Sequence, residues 1–255
     1  MEILALTRAC WRWLLDALAP RLGCLCCGKP SPKSGLCAAC LAELSAFLPE
    51  DTLCPVCGEP GDGAPCPHCA ARRPAFTAAR GLFAYEGAAR RLILAMKYEG
   101  EYDIPAEFFA WRFKSFLAQA NWEVDAVVPV PSRLAHLLKT GYNQAAIPAK
   151  RLASALSLPF WPHALRRPGL GKSQVPLTRA QRLENARGAF LPGTQAKKLK
   201  GRRVLLIDDV LTTGATANAC AEVLLALGAS SVHVLCAARS LLQGDRPSDH
   251  EQTLV

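Results

Sequence analysis

Val204-Leu205-Leu206-Ile207-Asp208-Asp209-Val210-Leu211-Thr212-Thr213-Gly214-Ala215-Thr216 is the stretch on which the fold turns. An apolar run ends in two adjacent carboxylates, a small hydroxyl-rich loop follows, and Ala217 to Leu227 then reads as a helix. The order is strand, acidic pair, phosphate-sized loop, helix. In open α/β sheets, ligands sit beyond the carboxyl ends of parallel strands, and this segment places polar groups there. Thr212 to Thr216 offers successive backbone N–H groups and hydroxyls at a helix N-terminus, where partial positive charge favours an anion. Asp208 and Asp209 repel phosphate, so they must face hydroxyls or a metal. The plain alternative is a buried strand closed by a satisfied polar turn.

These residues resemble the loop that binds 5-phosphoribosyl-1-pyrophosphate (PRPP) in type I phosphoribosyltransferases. The resemblance implies that Asp208 and Asp209 hold ribose hydroxyls. It also implies that Thr212, Thr213, Gly214, Ala215 and Thr216 grip the 5′-phosphate.

The 255 residues suit one large domain, or a small module joined to a medium one. Hydrophobic residues make up 51% and charged residues 20%, enough apolar material for a substantial core and too much for global disorder. The net charge of +9 suits anionic ligands, phosphates and nucleic acid alike. No uninterrupted apolar run reaches the length of a membrane span. Within residues 1–20, Arg8, Arg12 and Asp16 recur on one helical face, with Leu4, Trp11, Leu14, Leu15 and Leu18 on another. That pattern predicts an amphipathic helix rather than a signal peptide. It docks on the protein's own body or, through Trp11 and Trp13, makes a peripheral membrane or partner contact.

Eight of the 12 cysteines fall in four C-x-x-C pairs: Cys24/Cys27, Cys37/Cys40, Cys54/Cys57 and Cys66/Cys69. Each pair presents two thiolates to one tetrahedral Zn²⁺, and Gly28 and Gly58 supply the tight turns after two of them. Residues 21–70 therefore read as a cysteine-rich module with two structural Cys₄ zinc sites. Sequential and interleaved pairing of the knuckles both fit the spacing, and His68 is an alternative ligand. Metal supplies the folding free energy that so small a core lacks. Cys10, Cys220 and Cys236 lie in apolar stretches and read as core.

Beyond a linker at residues 71–80, strands alternate with helices, which implies a parallel sheet with right-handed crossovers over residues 80–242. The expected strands are Gly81 to Tyr85, Asp125 to Pro131, the Leu205 run, and Val232 to Ala237. The expected helices are Ala88 to Tyr98, Pro105 to Ala120, Gln144 to Leu156, and Ala217 to Leu227. The polar tail, residues 243–255, reads as disordered.

Further segments are similar to the ComF (GntX, competence protein F) family. They are Met96-Lys97-Tyr98, Val128-Pro129-Val130-Pro131, Gly141-Tyr142-Asn143-Gln144, Lys172-Ser173-Gln174, and Arg182 and Asn185 followed by Gly188-Ala189-Phe190. With the cysteine head, the resemblance runs from about Cys24 to Arg239. It implies a double zinc ribbon fused to a type I phosphoribosyltransferase-like domain, a cytoplasmic transferase using Mg²⁺ and PRPP or a related ribose phosphate. It also implies a part in DNA uptake and natural transformation, with single-stranded DNA or the uptake machinery as partner. Pro129, Val130, Asn143 and Gln144 would face the pyrophosphate, while Asp208, Asp209 and Lys172 would serve the chemistry. Lys172 lies in a Gly-rich stretch suited to closing over a sugar. Thr140 stands before Gly141 where the family usually carries Arg, which alters the pyrophosphate side; Arg133 and Lys139 remain nearby. The alternative is a non-catalytic nucleic-acid-binding adaptor with a vestigial or regulatory phosphoribosyl site. Its support is the zinc head, the net charge and the cluster Lys197, Lys198, Lys200, Arg202 and Arg203.

Overall fold

A computed structural model describes residues 23–31, 35–44, 52–100, 102–168 and 188–240. The helix expected within residues 1–20, the tail, Cys10, Lys172, Ser173, Gln174, Arg182 and Asn185 lie outside the described residues.

Four parallel strands form the central sheet: β1 (Ala78–Ala84), β2 (Ala126–Pro129), β5 (Arg203–Leu211) and β6 (Ser231–Arg239), in the order β1-β6-β5-β2. β3 (Leu165–Arg166) and β4 (Leu191–Pro192) form a small antiparallel pair apart from it. The helices are α1 (Ala38–Glu43), α2 (Pro67–Ala71), α3 (Gly87–Leu94), α4 (Asp103–Ala120), α5 (Leu134–Thr140), α6 (Ala146–Ala155) and α7 (Ala215–Ala226). α3 runs on into a π-helical turn, Ala95–Glu99, that ends at Gly100 in the left-handed region.

The parallel architecture is the expected one, and its cause is visible in the strands. Side chains alternate across a strand, so β5 sends Val204 and Leu206 into one core and Leu205 and Ile207 into the other. β6 divides in the same way, with Val232, Val234 and Cys236 on one face and Leu235 and Ala237 on the opposite one. A strand covered on both faces needs the near-continuous apolar run that this sequence carries. On one face lie α7 residues and the second cysteine module, through Cys54, Val56 and Cys69. On the other lie residues of α3, α4 and α6 and the first module, through Cys24, Cys26, Cys40 and Leu44.

Some boundaries differ from expectation. β1 begins at Ala78, inside the stretch read as linker, because Ala79 N–H donates to Val56 O at 2.7 Å and ties that stretch to the second ribbon. α7 starts at Ala215 rather than Ala217, since Gly214, at φ +75°, turns the chain straight into the helix. α5, β3 and β4 had no counterpart in the expected elements: runs of two to seven residues are too short to show a period. Among the described residues, no helix is long and apolar enough to cross a membrane.

Candidate functional site: an acidic strand end and two cysteine clusters

The eight expected metal ligands assemble as two groups, Cys24, Cys27, Cys37 and Cys40, and Cys54, Cys57, Cys66 and Cys69, each with its sulfurs within 4.8 Å of one another. Pairing is therefore sequential, and His68 belongs to neither group. The donor set fits zinc. Zn–S bonds of about 2.3 Å place tetrahedral sulfurs about 3.8 Å apart; Cys27 and Cys37 Sγ are 3.7 Å apart, and Cys57 and Cys66 Sγ 3.6 Å. Both modules use one construction. The N–H of Gly28 donates to Cys24 O at 2.8 Å and that of Gly58 to Cys54 O at 2.9 Å, each glycine at φ +70°. Across the cluster, Cys37 N–H points at Cys24 Sγ and Cys66 N–H at Cys54 Sγ, each at 3.3 Å. Burial pushes Cys24 and Cys54 up, but such amide donors outweigh it and hold both thiols lowered to about 6. All four positions of each group are protein sulfurs, as in structural sites.

At the carboxyl end of β5, Asp208 and Asp209 sit beside the end of β2. Pro129 is in register with Ile207, and Val130 N–H donates to Ile207 O at 2.9 Å. The two carboxylates differ in surroundings because neighbouring strand residues face opposite ways. Asp209 Oδ2 accepts from Lys97 Nζ at 2.8 Å, the lysine arriving from the π-helical turn after α3. Asp208 Oδ1 accepts from Asp209 N–H at 2.9 Å. Burial first, and the charge of Asp209 second, push Asp208 up to about 7, against the pull of Lys97 and Arg167. Lys97 is raised: burial opposes its charge, but Asp209 more than compensates.

The loop that follows wraps the start of α7. Thr213 Oγ1 accepts from Ala215 N–H at 3.3 Å, and Gly214 O from Asn218 N–H at 2.8 Å. Thr212, Thr213, Gly214 and Thr216 are half-buried and Ala215 is buried. The helix is long enough to present free N–H groups and a positive dipole end to an anion.

Asn143 and Gln144 lie before α6 rather than in it. Asn143 Nδ2 donates to Val130 O at 2.9 Å, while its Oδ1 accepts from Ser132 Oγ at 2.8 Å and Ala145 N–H at 3.1 Å. The asparagine thus clamps the Pro129–Pro131 turn to the entry of α6, and Gln144 is buried beside it. Thr140 Oγ1 donates to Tyr142 O at 3.0 Å, and Tyr142 Oη donates to Met96 O at 2.5 Å, next to Lys97.

Arg167 was not among the expected site residues. It stands at 5.0 Å over the Phe190 ring, and burial with the nearby Arg133 lowers its pKa while Asp208 and Cys220 oppose the change. The signal available was Arg166-Arg167-Pro168, a short cationic run before the Gly-rich stretch, but its partner Phe190 lies far along the chain.

Residues 99–254 match the model of the phosphoribosyl transferase domain. The chain belongs to that family. Among its relatives, Competence protein F of Haemophilus influenzae is 27% identical over 218 residues, covering 82% of this chain and 92% of that protein. DNA utilization protein YhgH of Escherichia coli K12 is 27% identical over 216 residues, covering 81% of this chain and 91% of that protein. Competence protein ComFC of Bacillus subtilis is 26% identical over 223 residues, covering 83% and 86%. Alignments of this length exceed the 99–254 match, so the likeness to the ComF-type proteins takes in residues outside the phosphoribosyl transferase domain.

Proposed function

We propose that this phosphoribosyl transferase family member binds PRPP, or a related ribose phosphate, with Mg²⁺, and acts in the handling of imported single-stranded DNA as a cytoplasmic transferase. The observation that carries the proposal is the sequence of groups at the end of β5. Two carboxylates are followed, after Val210 and Leu211, by a hydroxyl-rich loop whose N–H groups open α7. A ribose 5-phosphate offers the complementary sequence, a pair of hydroxyls and then a dianion. The part in DNA uptake is suggested by the names of the competence and DNA-utilization relatives.

In this proposal Asp208 and Asp209 accept from the ribose hydroxyls and stabilise positive charge developing on the sugar ring, as carboxylates do in glycosidic cleavage. Thr212, Thr213, Gly214, Ala215 and Thr216 hold the 5′-phosphate through backbone and hydroxyl donors. Pro129 and Val130, clamped by Asn143 with Gln144 behind it, form the wall on the pyrophosphate side. Arg167 adds a guanidinium on the Asp208 side, and Lys172 assists the leaving group. The carboxylates and the ligand's phosphates are the hard oxygen donors that suit Mg²⁺, which supplies charge neutralisation of departing pyrophosphate.

Calorimetric titration with PRPP and Mg²⁺ tests the proposal, comparing the wild type with an Asp208→Asn/Asp209→Asn variant. Binding by the wild type that is lost in the variant supports it; equal affinity in the two sinks it. A second reading, a nucleic-acid adaptor, draws on one observation. Lys197, Lys198, Lys200 and Arg202 are exposed together before β5. They sit toward its opposite end from the carboxylates, with Arg202 about 20 Å from Asp208 for six residues of strand. DNA binding through them, steeply weakened by salt and indifferent to the aspartate substitutions, would favour that reading.

A further inference from the structure

The two cysteine modules repeat one geometry but dock on opposite faces of the sheet, and only one reaches the phosphate loop. The first packs against α3, where Glu43 Oε1 accepts from Ala88 N–H at 2.6 Å. The second shares its core with α7 residues Ala215 and Ala219. A groove of about 380 Å³ separates Cys66, His68 and Cys69 on one side from Thr213, Gly214 and Asn218 on the other.

Three links cross beside that groove. Ala75 N–H donates to Asn218 Oδ1 at 2.7 Å, and Asn218 N–H in turn donates to Gly214 O at 2.8 Å. The Phe76 ring stands 3.8 Å from the position that a Cβ on Gly214 would take. Arg239 is the third link, and only 2% of it is exposed. Its Nη1 donates to Cys57 O at 2.6 Å, its Nη2 pairs with the Glu59 carboxylate, and its backbone is in register with Leu211, the residue before the loop. Ser240 N–H, next along, donates to Leu211 O at 2.9 Å. A guanidinium this deep needs its acceptors, because stripping one away leaves an uncompensated buried charge. Both acceptors belong to the second ribbon's first knuckle.

We propose that the second Cys₄ site, and not the first, sets the conformation of the Thr212–Thr216 loop, with Asn218 and Arg239 as positioning residues. Zinc at the second site thereby governs affinity for a ribose phosphate. The affinity part rests on the proposed function; the coupling of metal site to loop does not. Zinc would hold Cys57, and through its carbonyl Arg239, at the entry to the loop. It would also hold Cys69 on α2, six residues before the Ala75 amide that caps Asn218. A module of this size has no independent core to keep that arrangement once the thiolates are released.

The test uses the full chain with zinc counted per molecule. Cys66→Ser breaks the second site and Cys37→Ser the first, and hydrogen exchange is followed in peptides covering residues 212–218. Faster exchange in Cys66→Ser, with wild-type exchange in Cys37→Ser, is the expected result. Asn218→Ala, keeping both zinc ions, should also speed exchange, and should weaken PRPP binding about five- to tenfold for one lost positioning bond. Asn218 Nδ2 also donates to Glu222 Oε1 at 2.8 Å, so Asn218→Asp is paired with Glu222→Gln. The double variant retains the acceptor for Ala75 N–H and should restore loop protection whatever its charge does to the ligand. Wild-type exchange in a Cys66→Ser protein that has lost a zinc, or equal loosening in Cys37→Ser, overturns the proposal. Should Cys66→Ser fail to fold, wild-type loop exchange in Asn218→Ala overturns it instead. If the wild type binds no PRPP, the function reading fails, yet the exchange comparison still decides the coupling.

Discussion

Lys97 Nζ lies 2.8 Å from Asp209 Oδ2, bringing a cation from the π-helical turn after α3 onto one member of the acidic pair at the end of β5. π-Turns insert a residue into a helix and redirect the side chains that follow. Here the turn is braced from outside by Tyr142 Oη on Met96 O. The Gly141–Gln144 segment, the Pro129–Pro131 turn and Lys97 therefore form one bonded frame around Asp209.

Lys97→Met removes the cation and leaves Asp209 half-buried beside Asp208. We expect a loss of about 1–3 kcal/mol in stability, the cost of stripping a charge-assisted partner from a partly buried acid. Urea denaturation measures it. Lys97→Arg should recover part of the loss, because the charge survives although the point geometry of the ammonium does not. A Met variant as stable as wild type would show that the pair is solvated in solution.

Asp208 gives the site a pH dependence near neutrality. Its carboxyl is pushed up to about 7, by burial and then by Asp209, from an ordinary value near 4. The folded protein therefore holds this proton more tightly than the unfolded chain does. The Asp208 contribution to stability is most favourable below pH 4 and declines as pH rises toward about 7, then stays flat. Ligand binding runs the other way, since only the ionised form accepts from two hydroxyls or approaches Mg²⁺. PRPP affinity measured by calorimetry should climb between about pH 6 and pH 8 and level off above, the inflection following that titration. Asp208→Asn should be weak and flat across the range.

How far these features were legible depends on how locally they are encoded. The Val204–Thr216 stretch carries its strand, its acids and its loop in consecutive residues, and the structure keeps that order. The C-x-x-C spacing likewise names its own ligands, though only the folded chain resolves pairing as sequential. What escaped the sequence is long-range. Arg167 gains meaning from the Phe190 ring and the charge of Asp208, and Arg239 from Cys57 and Glu59, relationships that no spacing rule connects. Asn143 shows a different difficulty. The residue type and position before a helix suit both ligand binding and capping, and its amide is occupied by Val130, Ser132 and Ala145.

Gly214→Ala isolates the backbone demand of the loop. At φ +75° an alanine is strained, whereas its Cβ would meet Phe76 only at ordinary contact distance. The cost should therefore be conformational, about 1 kcal/mol of stability. If the loop relaxes by rotating Gly214, its N–H groups turn from the anion, so affinity for PRPP should fall by more than stability does. Thermal melts and titration on one preparation compare the two. An alanine variant binding like wild type would show that the donors lie elsewhere in the segment.

The two knuckle glycines separate the cost of a left-handed turn from the cost of docking. Gly28 and Gly58 share φ +70° and the same hydrogen bond back to the first cysteine of their knuckle. A Cβ on Gly28 meets nothing within 4 Å, whereas one on Gly58 falls 2.8 Å from Ala79 O and 3.3 Å from Arg80 Cδ. Ala79 belongs to β1, and Arg80, whose Nη1 donates to Pro55 O at 3.2 Å, is itself buried under the second ribbon. Gly28→Ala should thus cost about 1 kcal/mol for the turn alone. Gly58→Ala should cost about 1–3 kcal/mol more, because the ribbon must lift from the sheet edge to admit the methyl group. Thermal melts give the difference in stability, and zinc release to a chelator shows whether it is felt at the metal. Equal costs at the two positions would mean that the second ribbon rides loosely on β1, and the link from its cysteines to the phosphate loop would lose its anchor.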